Sequence, residues 1–462
     1  MLVELYNLIA EMIVYLINDE DKGFFKKYNS RTVGERKKEL YTIRENVQEL
    51  FEEGTEHFCE LDHKKTREQG FIDKIERLFS SLRNQKDHRC ILRLLEILDS
   101  ALERQMLYEM ESIGGDSFEG GLNSNWKALK LGIVPRYICY WERGHRGSQH
   151  YERIDNFLKN ILVINYNALG DLQISNHFLP TNTFWTAEQR GSLSVAVSPL
   201  KIQNDFDMDI YEREETCYFA VKYKGNKDED NRRIEEIIDR AAKERADVLI
   251  FPEMLGNTRM VENISNYLQE PFWLSGNKPP ELILLPSVWE DHRNVSCLLN
   301  RTGAVICEQS KQEAYQGPIP SGGSACEDIF PDHHVHLIHG IGIGRMVIMI
   351  CKDFITKDYL ETILRELKVT FVLIPSYSTG YHDFETMSGA LQASDCCALW
   401  TNACAAAKEP KEGEKIGFVL KSGRNTGKAM DYICIEDICK HGECRNSCLK
   451  VWNLYFKTIL GR

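Results

Sequence analysis

Three side chains of different chemistry each close an apolar run in the second half of the chain. ADVLIFPE ends on Glu253, RNVSCLLNRTGAVICEQSK ends on Lys311, and GRMVIMICKDF carries Cys351 just past its apolar stretch. A carboxylate can move protons, an ammonium can face a developing oxyanion, and a thiol can attack an electrophilic carbon. Taken singly, each has a plainer role. A cysteine at a strand end is usually a small core residue, and a glutamate there is a cap or a solvated end. Taken together on the ends of strands of one domain, they point to covalent chemistry. A cysteine between a strand and a helix can have its thiolate stabilised by helix amides and a nearby lysine. Asp353 or Thr356 is placed to cap that helix.

The elements that must hold these residues begin at Ser192. Leu193, Val195 and Val197 alternate with small residues, and Thr216–Tyr223 is a second strand candidate. Residues 228–247 put Ile234, Ile237, Ile238 and Ala241 on one helical face, with acidic residues at the start and Lys243 and Arg245 near the end. That charge order suits the helix dipole. Strand, helix, strand is the grammar of an α/β layer fold, in which sites gather at strand ends. ELILLPSV supplies another buried strand, and Asn-Arg-Thr-Gly joins two more as a hairpin ahead of Lys311.

This succession resembles the nitrilase, or carbon–nitrogen hydrolase, superfamily over about residues 193–404, extendable to the C-terminus. The landmarks are IFPE with Glu253, the hairpin ending at Lys311, MICKDF with Cys351, then VTFVLIPSYS and ALWTNACA with Asn402. The resemblance implies a four-layer α-β-β-α sandwich, a Glu-Lys-Cys triad of Glu253, Lys311 and Cys351, and a homo-oligomer built through outer helices. Cys351 would form a covalent thio-intermediate with an amide or nitrile carbon. Lys311 and the backbone N–H of Lys352 would face the oxyanion. Two features depart from the family. Lys352 stands where many members have an aromatic residue, so an anionic substrate or a lowered thiol pKa is expected. The second glutamate of many members has no counterpart at the usual spacing, leaving Glu313 and Glu327 as candidates. The loop at 317–323 would shape the pocket.

The first 112 residues read as a helical domain, with stripes such as Ile75, Leu78, Phe79 and Leu82, and Ile91, Leu94, Leu95 and Leu98. GGDSFEGG at 114–121 breaks the periodicity. Residues 113–190 form a connecting region of unclear fold, and 191–462 a nitrilase-like domain. Within the connection, Arg136, Arg143, Arg146 and Arg153 interleave with Tyr137, Tyr140, Trp141 and Tyr151. Such a mixture can hold nucleic acid by charge and stacking, though arginines covering aromatics at a domain seam are commoner.

The chain of 462 residues carries a net charge of −12, which argues against non-specific nucleic-acid binding by the whole molecule. The apolar amino terminus is interrupted by Glu4, Asn7 and Glu11 and lacks a basic start, so an amphipathic helix is expected in place of a signal peptide. A cytoplasmic protein without membrane spans follows, with its fifteen cysteines reduced. Near the end, Cys439, His441, Cys444 and Cys448 fall within ten residues. Soft thiolates plus an imidazole suit a structural zinc, while catalysis needs no cofactor. Two functions stand side by side. One is a cysteine-dependent hydrolase of a non-peptide carbon–nitrogen bond acting on a small molecule. The other is a non-catalytic nitrilase-like binding or assembly module in a bacterial defence system. Nitrilase-like domains occur with defence proteins, including reverse transcriptases, but no reverse-transcriptase motif is present here.

Overall fold

The computed structural model describes residues 2–18, 23–50, 70–112, 131–142, 153–200, 206–274, 276, 278–318, 323–406, 413–421, 430–438 and 448–456. The chain divides into two compact units, Met1–Tyr137 with Arg143–Gly170, and Ile138–Glu142 with Asp171–Arg462. The division therefore falls at 170, not at 190, and the connecting region is shared between the units.

The first unit holds α1 (Leu2–Asn18), α2 (Phe24–Asn29), α3 (Val33–Val47), α4 (Phe71–Asn84) and α5 (His88–Ser112). A small antiparallel sheet, β1 (Leu131–Pro135) and β2 (Ile161–Asn165), follows, then α6 (Tyr166–Leu169). The helical stripes do what their spacing predicts. Ile9, Met12, Ile43, Ile75, Ile91 and Leu95 are buried in one core that also takes in Ile133, Ile161 and Val163. Thr32 and Glu35 form a reciprocal capping box at the start of α3. Asp99 accepts the backbone N–H groups of Lys159 (2.7 Å) and Asn160 (3.0 Å), fastening the β2 approach to α5.

The second unit runs β3 (Gln173–Phe178), α7 (Trp185–Arg190), β4 (Ser192–Val197), β5 (Phe206–Arg213), β6 (Thr216–Tyr223), α8 (Lys227–Lys243), β7 (Val248–Ile250), α9 (Met260–Leu268), β8 (Leu282–Leu284), β9 (Val288–Glu290), β10 (Arg293–Asn300) and β11 (Val305–Ser310). It continues with β12 (Gln316–Pro318), β13 (Ser324–Glu327), β14 (His334–Gly340), β15 (Gly344–Ile348), α10 (Lys352–Ile355), α11 (Lys357–Leu367), β16 (Phe371–Ser376), α12 (His382–Ala393), β17 (Cys397–Asn402), β18 (Lys415–Leu420), β19 (Met430–Cys434), α13 (Ile435–Ile438) and β20 (Lys450–Tyr455).

Two seven-stranded mixed sheets result. One has the order β11-β10-β8-β7-β4-β20 with β9 beside β10, and the other β19-β18-β17-β16-β15-β14-β3. Their central strands, β4, β7 and β8 in one and β15, β16 and β17 in the other, are parallel and wholly buried. Continuous apolar runs are what such doubly covered strands require. α8 and α9 cover the first sheet through Ile234, Ile237, Ile238 and Ile264, which pack on Ala196, Leu249 and Ile283. On the second, Phe384 of α12 stacks on Trp400 at 4.8 Å. The sheets touch where Gln309 donates to the His334 carbonyl at 2.8 Å. A four-stranded sheet, β12-β13-β6-β5, shares no strand pairing with either but packs on them through Phe219, Val221 and Ala325 against Met254, Trp289 and Tyr377.

The five residues Ile138–Glu142 hook into the second sheet. Trp141 Nε1 donates to the Thr370 carbonyl (3.0 Å), and Glu142 pairs with the fully buried Arg345 (2.9 Å). Among the described members of the basic-aromatic stretch, Arg136, Tyr137 and Trp141 are buried. Arg136 donates to the Leu158 carbonyl (3.1 Å) and Tyr140 to Glu188 (2.6 Å). These side chains are engaged within the protein; residues 143–152 lie outside the described residues. Among the described residues, no helix is long and apolar enough to cross a membrane.

Candidate active site

Each of the three residues sits just beyond a strand, wholly buried in β7 and β15 and partly exposed in β11. Glu253 follows β7, with Phe251 N–H held by the Leu284 carbonyl (3.1 Å). Lys311 follows β11, its N–H held by the Asn294 carbonyl (2.8 Å). Cys351 follows β15, its N–H held by the Pro375 carbonyl (2.9 Å). Backbone pairing thus continues past the formal strand ends and removes the slack that loops would leave. Cys351 has φ 48° and ψ −98°, and Met254 beside Glu253 has φ 66°. A β-carbon in this region costs about 1–3 kcal/mol, strain that persists only where the surroundings over-determine the backbone.

The side chains converge. Lys311 Nζ lies 2.8 Å from Glu253 Oε1 and 2.6 Å from Glu327 Oε2. Asn294 Nδ2 reaches the same two glutamates, at 2.8 Å from Glu253 Oε1 and 3.3 Å from Glu327 Oε1. The Tyr377 N–H donates to Glu253 Oε2 (2.8 Å) and the Tyr315 N–H to Glu327 Oε2 (3.2 Å). Glu253, Lys311 and Glu327 are all 0–1 % exposed, and Cys351 is 5 % exposed.

Two buried carboxylates facing one ammonium set the electrostatics. Burial raises the Glu253 pKa, Lys311 lowers it, Glu327 raises it again, and the net shift is upward. For Lys311, burial alone favours the neutral amine, but the two carboxylates outweigh it and hold the ammonium well above its ordinary range. Burial and the neighbouring Glu253 push the Cys351 thiol well above its ordinary value, against the pull of Lys311. The expected stabilised thiolate is therefore not the resting form. The thiol stays protonated because desolvation and the like charge of Glu253 win over one shared cation.

Of the two candidates for a second glutamate, Glu327 reaches Lys311. The Glu313 N–H is instead bound to Asp353 Oδ1 (2.7 Å). Asp353 does not cap α10. Its carboxylate accepts the N–H groups of Gln312 (2.9 Å), Glu313 and Ile350 (3.1 Å), tying the strand end that carries Lys311 to the one that carries Cys351. Thr356 also makes no cap; its hydroxyl donates to the Lys352 carbonyl. Lys352 opens α10, so its N–H is among those with no acceptor within the helix. Asn402 closes β17 and accepts the Ser378 N–H (2.8 Å) while donating to the Ser378 carbonyl (2.7 Å). It thereby shapes the turn that aims the Tyr377 N–H at Glu253.

Asn294 and Tyr377 escaped the sequence reading. Asn294 had a signal: the hairpin ahead of Lys311 places it across from that lysine, one step past the Val295–Ser310 pair. Tyr377 had none, since its backbone is what acts. Cys439, His441 and Cys444 lie outside the described residues, and Cys448 is buried. Among the described residues, no group of three or more histidine, cysteine or carboxylate side chains could hold a metal.

No family model and no curated protein matches the chain. Among solved structures, it is similar to an amidase from Nesterenkonia sp., at 14 % identity over 58 % of this chain and 92 % of that one, with a TM-score of 0.39. A mutant of that enzyme, described as an amidase from the nitrilase superfamily, gives the same values. A glutamine-dependent NAD+ synthetase from Acinetobacter baumannii is 16 % identical over 57 % of this chain and 45 % of that one, with a TM-score of 0.37.

Proposed function

We propose that this protein is a cysteine-dependent hydrolase of a non-peptide carbon–nitrogen bond, an amide or a nitrile, working through Glu253, Lys311 and Cys351. In the same proposal the second unit is a nitrilase-like four-layer α-β-β-α sandwich, and the protein is a cytoplasmic homo-oligomer. The observation that carries the reading is Lys311 held between Glu253 and Glu327, with Glu253 near enough to the Cys351 thiol to raise its pKa.

For an amide, Glu253 takes the thiol proton as Cys351 Sγ bonds to the carbonyl carbon. Lys311 and the Lys352 N–H face the oxyanion. The carbon–nitrogen bond then breaks, and the departing amine receives the proton from Glu253, leaving a thioester. Water gives a proton to Glu253 and attacks the thioester. The carbon–sulfur bond breaks, the acid departs and the thiol regains its proton. A raised Glu253 pKa suits a group that must both take and return a proton near neutral pH.

The near-complete burial of Cys351 favours the second reading, a binding or assembly module. The two separate experimentally. Wild-type protein and Cys351→Ala are assayed on a panel of amides and nitriles, with intact-mass detection of an acyl adduct. Turnover and a +acyl mass in the wild type alone support the hydrolase; equal inertness of both supports the module.

A further inference from the structure

Glu327 reaches the reactive cluster from outside the strand ends that supply the other residues. It closes β13, a four-residue strand. β13 pairs in parallel with β6, Cys326 facing Tyr218 and Glu327 facing Phe219. The next N–H, of Asp328, donates to the Phe219 carbonyl (3.0 Å). β6 in turn is one arm of the hairpin β5–β6, paired from Phe206–Tyr223 to Arg213–Thr216.

The hairpin also grips the side chain that follows Glu327. Asp328 is 1 % exposed. Its carboxylate accepts the Tyr211 hydroxyl and Arg213 Nη2 (3.0 Å), both from β5, and lies 2.7 Å from His292 Nδ1. Arg213 is braced in turn over the Tyr218 ring at 4.4 Å. The two β5 residues are open to solvent, Tyr211 at 36 % and the Arg213 side chain at 45 %. A surface grip on a buried carboxylate thus ends one residue from the glutamate that contacts Lys311.

We propose that the hairpin β5–β6 is a positioning device for the reaction, in which Tyr211 and Arg213, by holding Asp328, keep Glu327 against Lys311. The inference rests on the hydrolase reading of the cluster. Its physical content is a charge count. With Glu327 in place, Glu253 shares Lys311 with a second carboxylate, and Glu327 adds to the forces that raise the Glu253 pKa. With Glu327 displaced, Lys311 serves Glu253 and Cys351 alone, and both groups give up protons more readily. Tyr211 and Arg213 touch neither the thiol nor the reacting atoms; they act through Asp328 and Glu327.

The test is alkylation of Cys351 by iodoacetamide across a pH series, followed on the Cys351 peptide by mass spectrometry, with melting temperatures recorded in parallel. Glu327→Gln sets the benchmark and is expected to move the acid limb of the profile to lower pH by roughly one unit, a tenfold change in proton dependence. The double variant Tyr211→Phe/Arg213→Ala, and Asp328→Asn from the buried side, should move it the same way. Arg213→Lys should restore the wild-type limb. Hairpin variants that keep the wild-type limb while Glu327→Gln shifts it overturn the inference and leave the hydrolase reading standing. A shift in none of them, Glu327→Gln included, also overturns it. Wild-type alkylation indistinguishable from that of Glu253→Gln would instead remove the hydrolase reading, and the inference with it.

Discussion

At the scale of single residues, Lys311 is the group on which the cluster depends. It is the cation that contacts both Glu253 and Glu327. Replacing it with methionine keeps most of the volume and strands two carboxylates in the interior. Breaking a buried pair in this way costs about 3–5 kcal/mol. Lys311→Met is expected to lose stability of that order at neutral pH in urea unfolding. The sign of its pH dependence follows from the carboxylates. Glu253 already has a folded pKa above its unfolded value. Without the cation it rises further, so the folded state is favoured below the unfolded pKa and penalised as pH climbs. The deficit of the variant should therefore shrink in acid. A deficit that grows in acid would show that Lys311 does not neutralise these groups.

At the scale of elements, the pairing of β3 with β14 carries its own titration. His177 Nε2 lies 2.8 Å from His336 Nδ1, and the His334 and His336 rings stack at 4.6 Å. Burial first, then the charges of His177 and His334, lower the His336 pKa from 6.5 to about 4, with Asp332 acting the other way. A base whose folded pKa is depressed contributes stability that is present above the unfolded value and is lost as pH falls through the folded one. The melting temperature should fall between pH 6.5 and about 4, and His336→Gln should flatten that decline. Equal slopes for both proteins would assign the decline elsewhere. A second element-scale proposal concerns Cys439, His441, Cys444 and Cys448, for which their composition alone suggests a structural zinc. Elemental analysis of protein purified without added metal should find about one zinc per chain, reduced in Cys444→Ser; protein without zinc ends the proposal.

At the scale of the whole molecule, the chain crosses between its units more than once. Residues 138–142 belong to the second unit, 143–170 to the first, and the chain then returns to the second at Asp171. A division at 190 would cut β3 away from β14, on which six residue pairs are in register. A fragment spanning 171–462 retains that strand and should unfold at higher urea than one spanning 191–462. Both lack the hook at 138–142, so the difference reads residues 171–190, β3 together with α7 and its Arg190–Asp247 pair. Equal midpoints would mean that this segment adds nothing to the unit.

Much of the site was legible in the sequence because short-range physics writes it there. A strand covered on both sides must be an unbroken apolar run, so β7 and β15 announce themselves, and the polar residue that ends each run marks where the strand opens. The Asn-Arg-Thr-Gly turn is equally local. Asn300 accepts the Thr302 and Ala304 N–H groups, and Gly303 sits at φ 80° against the Ser265 carbonyl, where a β-carbon would collide. Those signals place Glu253, Lys311 and Cys351 without any knowledge of the fold. Glu327 could not be placed over Glu313 in this way. Its position depends on parallel pairing with Phe219, far back in the chain, and no local pattern records such a pairing. The extra residue Ile306 of β11, opposite Leu298 and Leu299, likewise sets the register that brings Lys311 across from Asn294. The state of the thiol is the least local quantity of all. Sequence supplies a lysine, which lowers a thiol pKa; only tertiary structure decides that burial and a shared counter-charge outweigh it.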